Sequence, residues 1–175
     1  MIPIGISEIL KAVDGTLLWG DENGVVTNVV TDSRKAGKGS LFVPIVGERV
    51  DAHRFIPQVM QAGASVTFSS RKDVAPAASG CCIYVEDTLA ALQKAAAYYR
   101  SRFDIPVIGV TGSVGKTTTK EMISAVLEKK YRVVKTQGNW NSQIGVAMMM
   151  FELEPETELA IFEMGMSLPG EMARL

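Results

Sequence analysis

The run Ile108-Gly109-Val110-Thr111-Gly112-Ser113-Val114-Gly115-Lys116-Thr117-Thr118-Thr119-Lys120-Glu121-Met122 constrains this chain more than any other. Apolar β-formers lead into a glycine-rich loop carrying a lysine and threonines, and good helix formers follow. A loop without bulky side chains lets backbone N–H groups wrap phosphate oxygens, and the helix behind it turns its positive dipole end toward them. The lysine adds a point charge for the outer phosphates, and the hydroxyl after it can coordinate Mg²⁺. A strict P-loop needs glycine where Val110 stands, and Gly109 comes one residue early, so the motif is the shorter G-x-x-G-K-T from Gly112 to Thr117. A helix over 117–130 would place Met122, Ile123, Val126 and Leu127 on one apolar stripe, with Glu121, Glu128, Lys129 and Lys130 outside it.

Composition narrows the class. With 175 residues, 47% hydrophobic and 21% charged, the chain can form one large or two small globular domains. A net charge of −1 with scattered Lys and Arg argues against a nucleic-acid partner. No basic segment followed by an apolar stretch opens the chain, and no run of about 18 apolar residues offers a membrane span. A cytoplasmic monomer without membrane insertion is the expectation. Adjacent Cys81 and Cys82 fall in a candidate strand and read as two buried thiols, since a disulfide between neighbours is strained. With the single histidine, His53, they do not make a zinc site.

Along the chain, Ser7 can cap a helix through Val13, with Ile6, Ile9, Leu10 and Val13 as its apolar face. Strands are expected at Val25–Thr31, Leu41–Ile45, Ser65–Ser69 and Cys82–Val85. A helix over 51–62 is shortened or distorted by Pro57. Thr88 can cap an alanine-rich helix to Arg102, with Leu89, Leu92, Ala96 and Tyr99 on one face. The strand Ile105–Val110, the phosphate loop, its helix and a strand Arg132–Thr136 then read as a right-handed parallel βαβ unit. A helix from Gln143 to Phe151, a strand Leu159–Met164 and a helix start near Pro169-Gly170-Glu171 complete the chain. A domain of only three parallel strands leaves its sheet poorly covered, so the expectation is a segment of something longer.

These segments together resemble the Mur ligases, ATP-dependent enzymes that add amino acids to the peptide stem of cell-wall precursors. The resemblance is carried by Thr111-Gly112-Ser113-Val114-Gly115-Lys116-Thr117-Thr118 with its missing first glycine. It extends to Thr31-Asp32-Ser33-Arg34, Gly39-Ser40-Leu41-Phe42-Val43, the stretch Gly47 to Phe55 and Ala62-Gly63-Ala64. Ala52 departs from the family's usual Asp-Gly-His. Thr118 to Met122, Thr136-x-Gly138-Asn139-x-Asn141 with Ile144-Gly145-Val146, and Glu163-Met164-Gly165-Met166 favour the branch that takes D-alanyl-D-alanine. Ser142 and Gln143 stand where that branch often has Asn and an acid.

The resemblance implies an α/β fold: a uridine-nucleotide-binding domain over residues 1–86, then the first part of a P-loop parallel-sheet ATPase domain over 87–175. It implies ATP and Mg²⁺ as cofactors, with UDP-N-acetylmuramoyl-tripeptide and D-alanyl-D-alanine as partners. A carboxylate would attack the γ-phosphoryl group to give an acyl phosphate, which the amine then opens. Lys116 is the candidate catalytic residue. Gly112, Ser113, Val114, Gly115, Lys116, Thr117 and Thr118 are the candidate nucleotide cradle, and Thr117 and Glu163 the candidate metal ligands. Ser33 and Arg34 are candidates for the UDP portion, or a solvated turn. Asn139 and Asn141 either contact substrate or hold a turn. Met148, Met149 and Met150 read as helix core, Trp140 as a packing residue near the site, and His53 as a structural hydrogen-bonding residue. The alternatives are another family ligase, such as the one that adds the third residue, an inactive nucleotide-binding module for these 175 residues alone, and an unrelated P-loop GTPase.

Overall fold

The computed structural model describes residues 1–167 and 170–175, so Pro169 of the Pro169-Gly170-Glu171 motif lies outside the described residues. The chain divides into two units, Met1–Tyr98 and Tyr99–Leu175.

The first unit opens with strand β1 (Ile4–Gly5) and helix α1 (Ile6–Ala12). The helix starts before Ser7. Gly5 is its N-cap, and the Gly5 N–H donates to Glu8 Oε2 at 2.7 Å, the glutamate half of a capping box. Ile6, Ile9 and Val13 are buried as the spacing requires. Next come β2 (Thr16–Trp19), β3 (Val25–Val26) and β4 (Asn28–Val30), the last two split at Thr27 where one longer strand was expected. β5 (Ser40–Phe42), α2 (Ile56–Gln61), β6 (Val66–Ser69) and β7 (Cys81–Tyr84) follow. Pro57 sits in the first turn of α2, where its missing N–H costs nothing, and Ala52–Phe55 tightens to a 3₁₀ turn ahead of it.

β2, β7, β6, β5 and β4 form one sheet in that order, parallel from β4 to β7. β2 adds antiparallel to β7 and has no counterpart in the sequence reading. Its four residues alternate too briefly to register as a strand without the β7 partner. Helix α3 (Thr88–Arg100) buries Ala91, Leu92, Ala95 and Ala96. Asp87, not Thr88, supplies its cap, accepting from Leu89 N and Ala90 N, while the Thr88 hydroxyl donates to the Pro44 carbonyl at 2.6 Å.

The second unit contains β8 (Val107–Val110), α4 (Lys116–Leu127), β9 (Val133–Lys135), α5 (Gln143–Met150) and β10 (Leu159–Glu163). All three strands are parallel, in the order β8-β10-β9. β8 and β9 are thus parallel, as the βαβ reading expects, with β10 lying between them. The reason is apolarity: every residue of β10 is buried, which suits only the central position. Tyr99 packs on Phe103 and Phe151, and its hydroxyl donates to the Leu153 carbonyl at 2.6 Å.

α4 is rotated from the expected stripe. Ile123 and Leu127 pack with Leu159 and Ile161 of β10, in line with buried Lys120 and Ser124, whereas Met122 and Val126 are 67% and 71% exposed. The stripe is therefore 120/123/124/127, with a lysine at its first position.

Candidate functional site

The C-terminal ends of the three parallel strands meet in the second unit, where ligands gather in open α/β sheets. Register pairs Glu163 with Val110, the last residue before the glycine-rich loop. Thr136, just past β9, donates its N–H to the Ile161 carbonyl at 3.0 Å, and its hydroxyl accepts from Glu163 N at 2.8 Å.

The loop itself is exposed from Thr111 to Gly115. Gly115 caps α4 at φ +79°, a left-handed conformation that a side chain there would strain. Thr119 N–H closes the first turn onto the Gly115 carbonyl at 2.9 Å. The amides of Lys116, Thr117 and Thr118 come before that bond and have no acceptor within the helix. Lys116 Nζ reaches back to the Gly112 carbonyl at 2.8 Å, so its ammonium lies across the loop. Thr117 and Thr118 also line a groove of about 430 Å³ with Glu121, Met122 and Ala125.

Glu163 is 2% exposed. Its Oε1 accepts from Asn141 Nδ2 at 2.8 Å, but among the described residues its buried Oε2 has no hydrogen-bond partner, the Lys120 ammonium standing 4.0 Å away. An orphaned carboxylate oxygen at this depth is costly unless a cation meets it. Hard oxygens suit Mg²⁺, and both the orphaned Oε2 of Glu163 and the Thr117 hydroxyl at the loop are donors of that kind. Among the described residues no group of three His, Cys, Asp or Glu could hold a metal, so a cation here would need most of its ligands from phosphate oxygens and water.

Asn141 also accepts from Gly165 N at 2.8 Å through its carbonyl, tying the loop before α5 to the one after β10. Ser142 caps α5 by accepting from Gly145 N at 3.2 Å. Asn139 is exposed, and Trp140 is 42% exposed rather than packed. Met149 is buried in α5, with Met148 and Met150 partly so.

Two residues at this site were not singled out from sequence. Lys120, 1% exposed, donates to the Thr136 carbonyl at 2.7 Å, and Thr136 carries the hydroxyl beneath Glu163. The available signal was a lysine three residues before Ile123 and seven before Leu127, on their helix face. Glu121 bridges Lys120 and Lys135, each at 2.9 Å. Those bonds, from Lys135 first, hold its carboxyl below the usual range.

In the first unit Ser33 and Arg34 sit on a 3₁₀ turn capped by Asp32. The exposed Arg34 guanidinium binds Asp32 in a fork, Nε to Oδ1 at 2.9 Å and Nη2 to Oδ2 at 2.6 Å. That bond, with the Arg34 amide, lowers the Asp32 carboxyl to about 2. Nearby in sequence, His53 is buried between Asp51 and Ser70: Nδ1 lies 2.6 Å from Asp51 Oδ1, and Nε2 lies 3.1 Å from Ser70 Oγ. The connectivity is that of a nucleophilic triad, yet Nε2 already accepts the Ser70 backbone N–H at 3.0 Å. That lone pair is committed, so the histidine braces the fold instead of activating the hydroxyl. Burial works to raise the Asp51 carboxyl, but the His53 amide and ring, with Arg71, keep it below its ordinary value.

Comparison with known proteins follows the same division. The Mur ligase middle domain model matches residues 110–175, and the model of the Mur ligase family catalytic domain matches residues 25–100. The UDP-N-acetylmuramoyl-tripeptide–D-alanyl-D-alanine ligase of Bacillus subtilis is 44% identical over 173 residues, covering 98% of this chain and 38% of the relative. The Escherichia coli ligase of that name is 36% identical, over 99% of this chain and 37% of the relative. Among solved structures, MurF from Acinetobacter baumannii superposes with a TM-score of 0.90 at 35% identity, covering 98% of this chain and 38% of that one. MurF from Thermotoga maritima in complex with ADP gives 0.76 at 34% identity, over 84% and 34% of the two chains. The chain thus spans under two-fifths of the length of these relatives.

Proposed function

This chain belongs to the Mur ligase family, and on that premise we propose that the ligase it forms part of uses ATP to join D-alanyl-D-alanine to UDP-N-acetylmuramoyl-tripeptide. The observation that carries the chemistry is the meeting of a glycine-lysine-threonine loop with a buried, half-satisfied carboxylate at the ends of parallel strands. The choice of substrates is supported by the 44% identity to a ligase named for them.

In this reading the loop from Gly112 to Thr118 holds the triphosphate, with Gly112, Ser113, Gly115 and Lys116 offering backbone donors. The exposed loop position of Val114 suits close approach of phosphate to backbone. Lys116 exchanges its Gly112 carbonyl for the β- and γ-phosphoryl oxygens and stabilises the charge that develops as the phosphoryl group moves. The Thr117 hydroxyl would hold the Mg²⁺ of the nucleotide and Glu163 Oε2 a second Mg²⁺, and together these ions would supply charge neutralisation between phosphate and the attacking carboxylate. Asn141 orients Glu163, and Asn139, exposed on the same loop, is left to meet substrate. Ser33 and Arg34, with residues 1–86, take the UDP portion, and residues 87–175 take ATP. Free Cys81 and Cys82 suit a reducing cytoplasm.

The test is turnover by the full-length protein. ADP and phosphate release should require ATP, UDP-N-acetylmuramoyl-tripeptide and D-alanyl-D-alanine together. No release with that pair, or release with a single amino acid on the dipeptide-linked precursor, would overturn the assignment. The 175-residue chain alone should bind nucleotide without ligation, because closure of further parts over the reactants normally completes such sites.

A further inference from the structure

A lysine at the sheet-facing stripe of a helix is expensive: an apolar side chain there would avoid the desolvation of an ammonium. Lys120 nevertheless occupies that position at 1% exposure. Its ammonium donates to the Thr136 carbonyl at 2.7 Å, pairs with Glu121 Oε1 at 2.9 Å and stands 4.0 Å from Glu163 Oε2. From the second turn of α4 it therefore reaches the end of β9 and the approach to the end of β10. The Thr136 hydroxyl extends the chain of contacts by accepting the Glu163 N–H at 2.8 Å.

We infer that Lys120 is a positioning residue that fixes the Glu163 carboxylate relative to the phosphate loop, so that Oε2 is held ready for a cation shared with the nucleotide. This rests on the reading of Glu163 as a metal ligand. Asn141 restrains one carboxylate oxygen from the β9 side, and Lys120 sets the backbone beneath it from the α4 side. The loop and the carboxylate belong to different strands, and Lys120 is only four residues beyond Lys116. A rigid turn of helix thus converts the position of the loop into the position of Thr136 and Glu163. Lys120 does not compete for the cation as a bare charge, because Glu121 already balances it.

The experiment measures Mn²⁺ binding by electron paramagnetic resonance in the full-length ligase with saturating ADP, at a temperature well below unfolding of every variant. Lys120→Met, which keeps the buried stem, should raise the Kd of the Glu163-dependent Mn²⁺ site at least tenfold. It should lower kcat and leave the KM for ATP within twofold. Unchanged Mn²⁺ affinity with a lower melting temperature would make Lys120 a purely structural tie and overturn the inference. Tighter binding would overturn it too, by showing that the ammonium competes for the carboxylate. Should Lys120→Met fail to fold, Thr136→Val removes the hydroxyl under Glu163 and should give the same raised Kd, and an unaltered Kd would sink the proposal. Glu163→Gln separates the two layers. Loss of one Mn²⁺ supports the ligand assignment on which the inference stands, whereas a full complement removes that assignment and the inference with it.

Discussion

Asn141 Nδ2 donates to Glu163 Oε1 at 2.8 Å, so one carboxylate oxygen is fixed by a neutral amide while the other, among the described residues, accepts no hydrogen bond and faces the Lys120 ammonium at 4.0 Å. The residue that holds a metal-ligating carboxylate is typically worth 10–100-fold in metal affinity or activity. Asn141→Ala in the full-length ligase is expected to cut kcat by about that factor and raise the Mg²⁺ concentration needed for half-maximal rate. A Mg²⁺ titration of turnover checks it, and an unchanged midpoint would count against the role.

Among the described residues the Lys116 ammonium is held only by the Gly112 carbonyl. Lys116→Ala should therefore leave the melting temperature nearly unchanged while turnover falls by about 10²–10³ or more, the loss expected for removing a preorganised charge donor. Near-normal turnover would show that the loop is not the phosphoryl site.

Gly145 has no room for a side chain. A Cβ there would lie 2.5 Å from the Trp140 carbonyl carbon and 2.7 Å from its Cα, which are backbone atoms unable to swing aside. Gly145→Ala should destabilise the second unit by about 1–3 kcal/mol through forced backbone movement. Urea unfolding followed by tryptophan fluorescence gives the value, and a neutral result would mean that the loop at Trp140 yields freely.

Burial pushes the Cys81 and Cys82 thiols up to about 12. The thiolate is the reactive form, so at pH 8 both should resist an aromatic disulfide reagent in the native protein and react fully after denaturation. Rapid labelling of the folded chain would contradict the buried β7 placement.

Asp32 titrates at about 2 in the fold, against an ordinary value of 3.8, chiefly because of the Arg34 side chain. The folded group binds its proton less readily than the unfolded one. Its contribution is present above about pH 4 and is lost as the pH falls through 2. Melting temperatures between pH 2 and 5 should fall less steeply for Asp32→Asn than for the parent. Added salt should shrink the difference, since the pair is exposed. Identical slopes would mean that the fork is broken in solution.

Much of this was legible beforehand because the signals are local. The glycine-lysine-threonine loop, the helix after it and the start of the alanine-rich helix at Thr88, though not its Asp87 cap, follow from short-range stereochemistry. The exceptions arise where distant residues decide. α4 shows the mechanism: Met122 and Val126 are as apolar as Ile123 and Leu127, and 3.6-residue periodicity admits either pair. Lys120 tips the helix because the Thr136 carbonyl and Glu121 receive its ammonium, a contact made 16 residues away. β2 needs Cys82 and Ile83 as partners, and the place of β10 between β8 and β9 follows from its being the strand apolar enough for the centre. Glu163 stood out as an acid closing such a strand. That Asn141 and Thr136 brace it depends on three loops meeting, which no linear spacing announces.

The strand order β8-β10-β9 has a bearing on synthesis. Val107–Val110 and Val133–Lys135 are both synthesised before Leu159–Glu163, the strand with which each pairs in the described sheet. That pairing can form only once Leu159–Glu163 has emerged from the ribosome, and Glu163 is the last residue of that segment. The loop and the acid that faces it would thus be assembled in one event, so a nascent chain holding a finished loop beside an unfinished carboxylate should be short-lived.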